Sequence, residues 1–138
     1  MPQTDFLLRQ IEQMSQALAA LIRRLLGLNI NVEEKEIQEV IDAFLKDKLN
    51  TSMENLLKIT PAKIPEFIAQ NKEFDEANLE LFADVMVLNA KANKKLADKE
   101  KLFRMALEIY FRINKQSRTF SMERQNKIQE VENQLSTF

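Results

Sequence analysis

Residues 5–27 read DFLLRQIEQMSQALAALIRRLLG, and this stretch decides the fold class. Its apolar residues recur at alternating steps of four and three, which is the period of a helix that presents one stripe to a partner. The stripe consists of Leu7, Ile11, Met14, Leu18, Leu21 and Leu25. The spacing predicts a helix over residues 5–26, with Thr4 as its N-cap and Gly27 as a left-handed residue that ends it.

A stripe of this kind predicts a partner surface but does not identify it. The partner can be another helix of the same domain, a second copy of the chain or a different protein, so the oligomeric state stays open. Leu8, Ile22 and Leu26 broaden the stripe on one side. Because a broad stripe is typical of a core helix, the pattern favours packing within the domain over a seam between chains. The six stripe residues are therefore a candidate core and a candidate interaction seam.

The composition of the whole chain predicts helices throughout. Its 138 residues include one glycine and three prolines, too few for the many turns of a β-sandwich or β-barrel. The length fits a single domain over residues 1–138. We predict an all-α fold of five to six antiparallel helices, arranged as a bundle around a helical hairpin.

Capping and proline signals divide the predicted domain into three parts. These are N-terminal helices at 1–59, a proline-containing connector at 60–71, and a C-terminal hairpin with an edge helix at 72–138. Capping signals at Asn31, Thr51 and Ser121 begin the second, third and last helices. The two hairpin helices are expected at 74–96 and 98–115, where apolar residues are densest.

The absence of cysteine and histidine from the sequence removes most catalytic chemistry. It excludes disulfides, thiolate nucleophiles, Cys/His zinc sites and histidine acid–base catalysis. A carboxylate stripe is present at Glu33, Glu36, Glu39 and Asp42. Without histidines it cannot form a di-iron site, and we interpret it as a solvated helix face. We predict no enzyme activity, no catalytic residue, no metal site and no cofactor.

The charge of the chain is unevenly distributed although its net value is −1. Residues 33–84 are acidic and residues 91–127 are basic. Near the junction of the last two helices, a predicted anion patch consists of Arg112, Lys115, Arg118, Arg124 and Lys127. Nucleic-acid or anion binding through residues 112–127 is therefore the alternative function. Phe103 and Tyr110 lie seven residues apart on the apolar face, so they are expected to point inward rather than stack on bases.

One stretch of the hairpin resembles a known repeat. Residues 102–110, LFRMALEIY, are similar to the second helix of a tetratricopeptide repeat, with Phe103 and Ala106 at that motif's aromatic and small positions. Val87 stands at the motif's glycine position and Phe111 at its closing proline position. Since arrays need about three units to bury a continuous core, the resemblance implies a single repeat-like helical pair.

The two ends of the chain carry a broader resemblance. Residues 5–14, DFLLRQIEQM, together with residues 118–126, RTFSMERQN, resemble a family of small bacterial helical proteins. The resemblance implies an all-helical fold and a bacterial, cytoplasmic setting. It implies no activity, substrate or site residue.

The N-terminal sequence also bears on membranes and compartment. No uncharged apolar run reaches the length of a bilayer span, and no secretory leader pattern is visible. The helix at 5–26 carries fewer cations than interfacial helices usually do, so we expect no peripheral membrane contact. We predict a cytoplasmic, non-catalytic protein-interaction or scaffolding module with a protein partner. Self-association through the helix at 5–26 is one form of this prediction.

Overall fold

The structure, a computed structural model, describes residues 2–28 and 34–138, and in these ranges it is all-helical. The helices are α1 Pro2–Gly27, α2 Glu34–Leu49, α3 Met53–Leu57, α4 Ile64–Ala69, α5 Glu76–Ala92, α6 Leu96–Gln116 and α7 Met122–Leu135, with a 3-10 turn at Pro61–Lys63 before α4. The predicted all-α class is confirmed. The described residues form seven α-helices rather than five to six, because residues 60–71 contain a helix of their own.

The centre of the core is the pair α5 and α6, which pack together more extensively than any other two described helices. Leu79, Phe82 and Met86 of α5 are buried, and so are Phe103 and Tyr110 of α6. Apolar residues surround α5 on nearly all sides, as expected for a helix covered by neighbours. The other described helices pack around this pair, so α5 and α6 position the surfaces that remain open.

The direction of α1 differs from the antiparallel prediction. The Ile11 carbonyl accepts a hydrogen bond of 3.0 Å from Asn78 Nδ2, in the first turn of α5. Leu26, in the last turn of α1, lies beside Leu88 in the second half of α5. The two helices therefore run in the same direction, and an antiparallel arrangement of all helices is not confirmed.

Gly27 does not have the role that its position predicted. It has no positive φ, and it is the last residue of α1 rather than a left-handed residue after the helix. Asn50 instead takes the left-handed conformation, with a φ of 52°, directly after α2. Asparagine tolerates this region because its short polar side chain can bond locally. The start of α1 also differs, since the helix begins at Pro2 and Thr4 lies inside it.

The other predicted helix boundaries can be compared with side-chain caps. Ser121 caps α7 as predicted, and its Oγ accepts from the Arg124 N–H at 3.1 Å. The cap of α3 is Ser52, one residue after the predicted Thr51. The predicted cap Asn31 lies outside the described residues. The expected helix at 74–96 ends earlier, at Ala92.

The proline-containing connector is part of the packed structure rather than an exposed linker. Ile64, Pro65 and Ile68 are buried, and both α4 and the 3-10 turn before it pack on α6. Pro61 and Pro65 stand at the first positions of their turns, where a missing N–H costs no hydrogen bond. The two prolines therefore begin short helical elements that complete the core.

Candidate functional site

The predicted seam of α1 is divided between two environments. Met14, Leu18, Leu21 and Leu25 are buried. We call residues 14–25 the inner part of α1, and it packs against α5 and α2. Leu7 and Ile11 are only half-buried. We call residues 4–11 the outer part. The structure thus places most of the seam within the domain and leaves its beginning incompletely covered.

The outer part of α1 extends past the start of α5. Ile11 is level with Asn78 in the first turn of α5, so the residues before Ile11 project by about 10 Å at 1.5 Å per residue. Phe6 is 60% exposed and Leu8 is 58% exposed. A preformed helical segment therefore presents large apolar side chains to solvent.

A groove lies between the last turns of α1 and the middle of α7. Its volume is about 220 Å³, and Ile22 and Leu26 of α1 form one wall. Val131 of α7 forms the other wall, while Val87 and Leu88 of α5 form the floor. A neighbouring pocket of about 300 Å³ shares Leu26 and Leu88 and reaches α2 at Ile37. This surface, which we call the α1–α7 groove, is mainly apolar.

The polar groups of the groove are bonded to one another. The Tyr110 hydroxyl donates to Asp84 Oδ1 at 2.6 Å, and Lys127 Nζ donates to Asp84 Oδ2 at 3.1 Å. Burial raises the pKa of Asp84, although both hydrogen bonds oppose that shift. Burial and the Asp84 carboxylate together raise the pKa of Tyr110. These groups therefore stabilise one another through hydrogen bonds.

A second set of ionic contacts fixes α7 to the core. Glu80 of α5 accepts from Arg124 Nη1 at 2.9 Å and from Lys127 Nζ at 2.8 Å. Arg124 Nε also donates to Asn114 Oδ1 of α6 at 2.6 Å. Burial alone would raise the pKa of Glu80, but the bonds from Lys127 and Arg124 outweigh it and hold that pKa below its usual range. The wall that α7 contributes is thus anchored by charge as well as by packing.

These contacts divide the predicted anion patch, because some of its residues turn inward and others stay exposed. Arg124 is buried and Lys127 is paired with carboxylates, so the prediction that both face outward is corrected. They turn inward because Glu80 and Asp84 of α5 lie directly beneath α7. Lys115 and Arg118 are exposed. Arg112 is half-buried, and its Nε has no hydrogen-bond partner among the described residues.

One member of the predicted carboxylate stripe, Asp42 of α2, makes contacts that stabilise the fold. Asp42 Oδ1 accepts from the Met53 N–H at 2.9 Å, and its other oxygen pairs with Lys46. The bond from the Met53 backbone, together with Lys46, lowers the pKa of Asp42. Glu33 lies outside the described residues. In the part of the chain that the structure describes, no group of three or more acidic side chains could hold a metal ion.

Sequence reasoning did not find the α1–α7 groove. It placed neither Val87 nor Leu88 on an open surface, yet both are only half-buried on α5. The available signal was that apolar residues lie on nearly all sides of α5.

Comparisons with known proteins do not connect this geometry to a family. The chain matches no protein-family profile, and no curated protein or solved structure shows significant similarity to it. Over residues 2–28 and 34–138, no helix has both the length and the apolar character that a bilayer crossing needs.

Proposed function

We propose that the protein is a non-catalytic interaction module that binds an amphipathic helix of a protein partner in the α1–α7 groove. The observation that carries this proposal is an apolar floor left open between two helices. Val87 and Leu88 are half-buried on the central helix, and Leu26 beside them is 50% exposed. The bacterial, cytoplasmic setting implied by the sequence resemblance belongs to the same proposal.

The shape of the groove favours a helix as the bound element. Ile22 and Leu26 are one turn apart on one wall, with the floor formed by another helix. Parallel rows of side chains on helices accept the ridges of a further helix, as in helix-in-groove recognition. The partner helix would then contribute apolar residues at three- and four-residue spacing.

The charges around the groove support binding rather than catalysis. Asp84, Tyr110 and Lys127 are already satisfied by one another, and Lys91 pairs with Glu130 across the rim. A polar ligand could engage these side chains only by breaking the hydrogen bonds and ion pairs that they already make. We therefore expect the free energy of binding to come from apolar contacts. The paired charges would lie at the solvated edge of the interface.

A designed helical peptide tests this proposal. We would titrate a net-neutral, leucine-striped amphipathic peptide into the protein and follow backbone amide shifts. The largest shifts are expected at Val87, Leu88 and Val131. Leu26→Asp should weaken binding about tenfold or more, because it places a carboxylate in the apolar contact. Phe120→Asp is the matched control, since Phe120 is 74% exposed and does not line the groove. Shifts centred elsewhere, or equal affinity of both variants, would contradict the proposal.

Anion binding at the end of α6 is the second candidate function. Arg112 Nε, which has no hydrogen-bond partner within residues 2–28 and 34–138, favours it, and so do the exposed Lys115 and Arg118. A single-stranded oligonucleotide should bind with an affinity that falls steeply with salt, because phosphate contacts release counterions. Lys115→Gln with Arg118→Gln should reduce the slope of that salt dependence. An unchanged slope would eliminate this candidate.

A further inference from the structure

We infer that the end of α7 is a movable wall of the α1–α7 groove, which swings away from α1 and α5 to admit the partner helix. We call residues 130–135 of α7 the gate, and residues 121–127, at and after its cap, the anchor. The inference rests on the proposed function, since it describes how the same groove takes up the same partner.

The groove is too small to enclose a helix as it stands. Its volume is about 220 Å³. One turn of an α-helix, about 10 Å across and 5.4 Å long, occupies roughly 400 Å³. The groove can receive a row of side chains, but a helix can lie between its two walls only if one wall moves.

The wall formed by α1 is fixed in the core. Leu18, Leu21 and Leu25 are buried, and the inner part to which they belong packs against both α5 and α2. Ile22 and Leu26 line the groove from the same uninterrupted helix. Moving this wall would separate core side chains on two sides, so the opening has to come from α7.

The anchor holds the beginning of α7 to two helices by charge. Arg124 donates to Glu80 of α5 and to Asn114 of α6. Lys127 donates to Glu80 and to Asp84. Separating Arg124 from Glu80 would leave a buried guanidinium without its charge partner, which is strongly destabilising. This part of α7 therefore stays in place while the gate moves.

The gate is held by fewer contacts. Val131 is its one buried side chain, and Leu135 is half-buried. Within the described ranges, the only polar contact of the gate with another helix is the ion pair between Glu130 and Lys91 of α5. The two side chains of that pair are 54% and 42% exposed, so the pair contributes little to stability. Segments with few buried apolar contacts and exposed polar contacts open below the free energy of global unfolding.

Paired spin labels on the full chain test the movement directly. The sequence has no cysteine, so introduced cysteines can be labelled selectively. Gln134→Cys in the gate and Arg24→Cys in α1 place both labels at exposed positions. Saturation with the leucine-striped peptide should lengthen the distance between these labels by several ångströms, as measured by pulsed electron paramagnetic resonance. Gln125→Cys with Arg24→Cys is the matched control, because Gln125 is exposed in the anchor and its distance should not change.

The ion pair that closes the gate provides a second test. Lys91→Gln removes it and should raise the affinity for the peptide about two- to fivefold, because opening the gate then costs less. Exchanging the charges, by Lys91→Glu with Glu130→Lys, should restore the wild-type affinity. Glu100→Gln should leave the affinity unchanged, since it removes a similarly exposed ion pair with Arg104 that does not line the groove.

Two results would overturn the inference. One is an unchanged distance between the labels at positions 24 and 134 in a protein whose Val87 and Leu88 amides shift. The other is an affinity that Lys91→Gln leaves unchanged or lowers. In both cases the proposed function would stand, because the amide shifts show an occupied groove. If the peptide shifts neither amide, the proposed function fails and the inference fails with it.

Discussion

The outer and inner parts of α1 belong to one heptad-like repeat but have different surroundings. Leu18 in the inner part is fully buried, whereas Leu8 in the outer part is 58% exposed. The difference comes from what lies opposite, since α5 begins at Glu76 and supports only the part of α1 that runs beside it. The repeat predicts that α1 packs against an apolar neighbour. The length of that neighbour, α5, determines which residues of the repeat are buried.

The sharpest contrast between the two parts comes from one pair of substitutions. Leu18→Ala should lower the free energy of unfolding by about 2–5 kcal/mol, because it leaves a cavity in a packed core. Leu8→Ala should change it by less than about 0.5 kcal/mol in the monomer. Urea denaturation at low protein concentration measures both. Similar losses for the two variants would contradict the division of α1 that the structure shows.

A substitution of Glu80, the carboxylate that anchors α7, tests the groove wall opposite α1. Glu80→Gln should cost about 1–3 kcal/mol, because Arg124 is left buried without its charge partner. The loss should be below that of a fully buried pair, since a fifth of the Glu80 side chain is exposed. Glu123→Gln is the control, as its side chain is 81% exposed and lies 3.7 Å from Lys127. Equal effects in denaturation would mean that α7 is held by packing alone.

The polar contacts that border the groove should respond to alkaline pH. The raised pKa of Tyr110 means that the folded state keeps a proton that the unfolded state loses above pH 10.0. The resulting stability is complete below pH 10 and is lost as the pH rises beyond it. Lys127, whose carboxylate partners raise its pKa above 10.5, contributes in the same direction.

Tyr110→Phe separates these two contributions. It should cost about 1–2 kcal/mol at neutral pH, because Asp84 loses a hydrogen bond. Its stability should then fall less between pH 9 and pH 11 than that of the wild type. Denaturation midpoints across this range give the comparison, and a fall as steep as the wild type's would show that Tyr110 does not contribute.

A small stabilising effect is expected at the C-terminal end of α1. Gly27 is helical, and a Cβ added there would meet nothing within 4 Å. Gly27→Ala should therefore stabilise the protein by about 0.5–1 kcal/mol, chiefly by restricting the unfolded chain. Thermal unfolding checks this, and a decrease in stability would support the left-handed glycine that the sequence suggested.

The helical class and much of the core follow from periodicity alone. Of the stripe predicted on α1, Leu18, Leu21 and Leu25 are buried, and so is Met14. The end of α1 was predicted to within one residue, but the left-handed conformation of Gly27 was wrong, because it was inferred from how often glycine takes this conformation after a helix. Arg124 and Lys127 were misplaced because their carboxylate partners are more than 40 residues away in sequence. Long-range ion pairs leave no trace in local spacing.

The groove was beyond sequence reasoning for a related reason. A half-buried Val87 and a buried Val85 belong to the same apolar helix, and only the placement of the neighbouring helices distinguishes them. Periodicity describes one helix at a time. An open surface between three helices is a property of their arrangement.

Tyr110 gives the molecule an optical reporter of its own. It is the single tyrosine in a chain without tryptophan, and its ring lies where α5, α6 and α7 meet. A phenol bonded to a carboxylate emits differently from a phenol in water, and a fixed ring gives a dichroism signal that a mobile ring loses. A change in tyrosine emission, or in the tyrosine band of the near-ultraviolet dichroism, therefore reports on Tyr110 beside the groove, whereas the nine phenylalanines contribute to the dichroism at shorter wavelengths. Occupancy of the groove can thus be followed without a label.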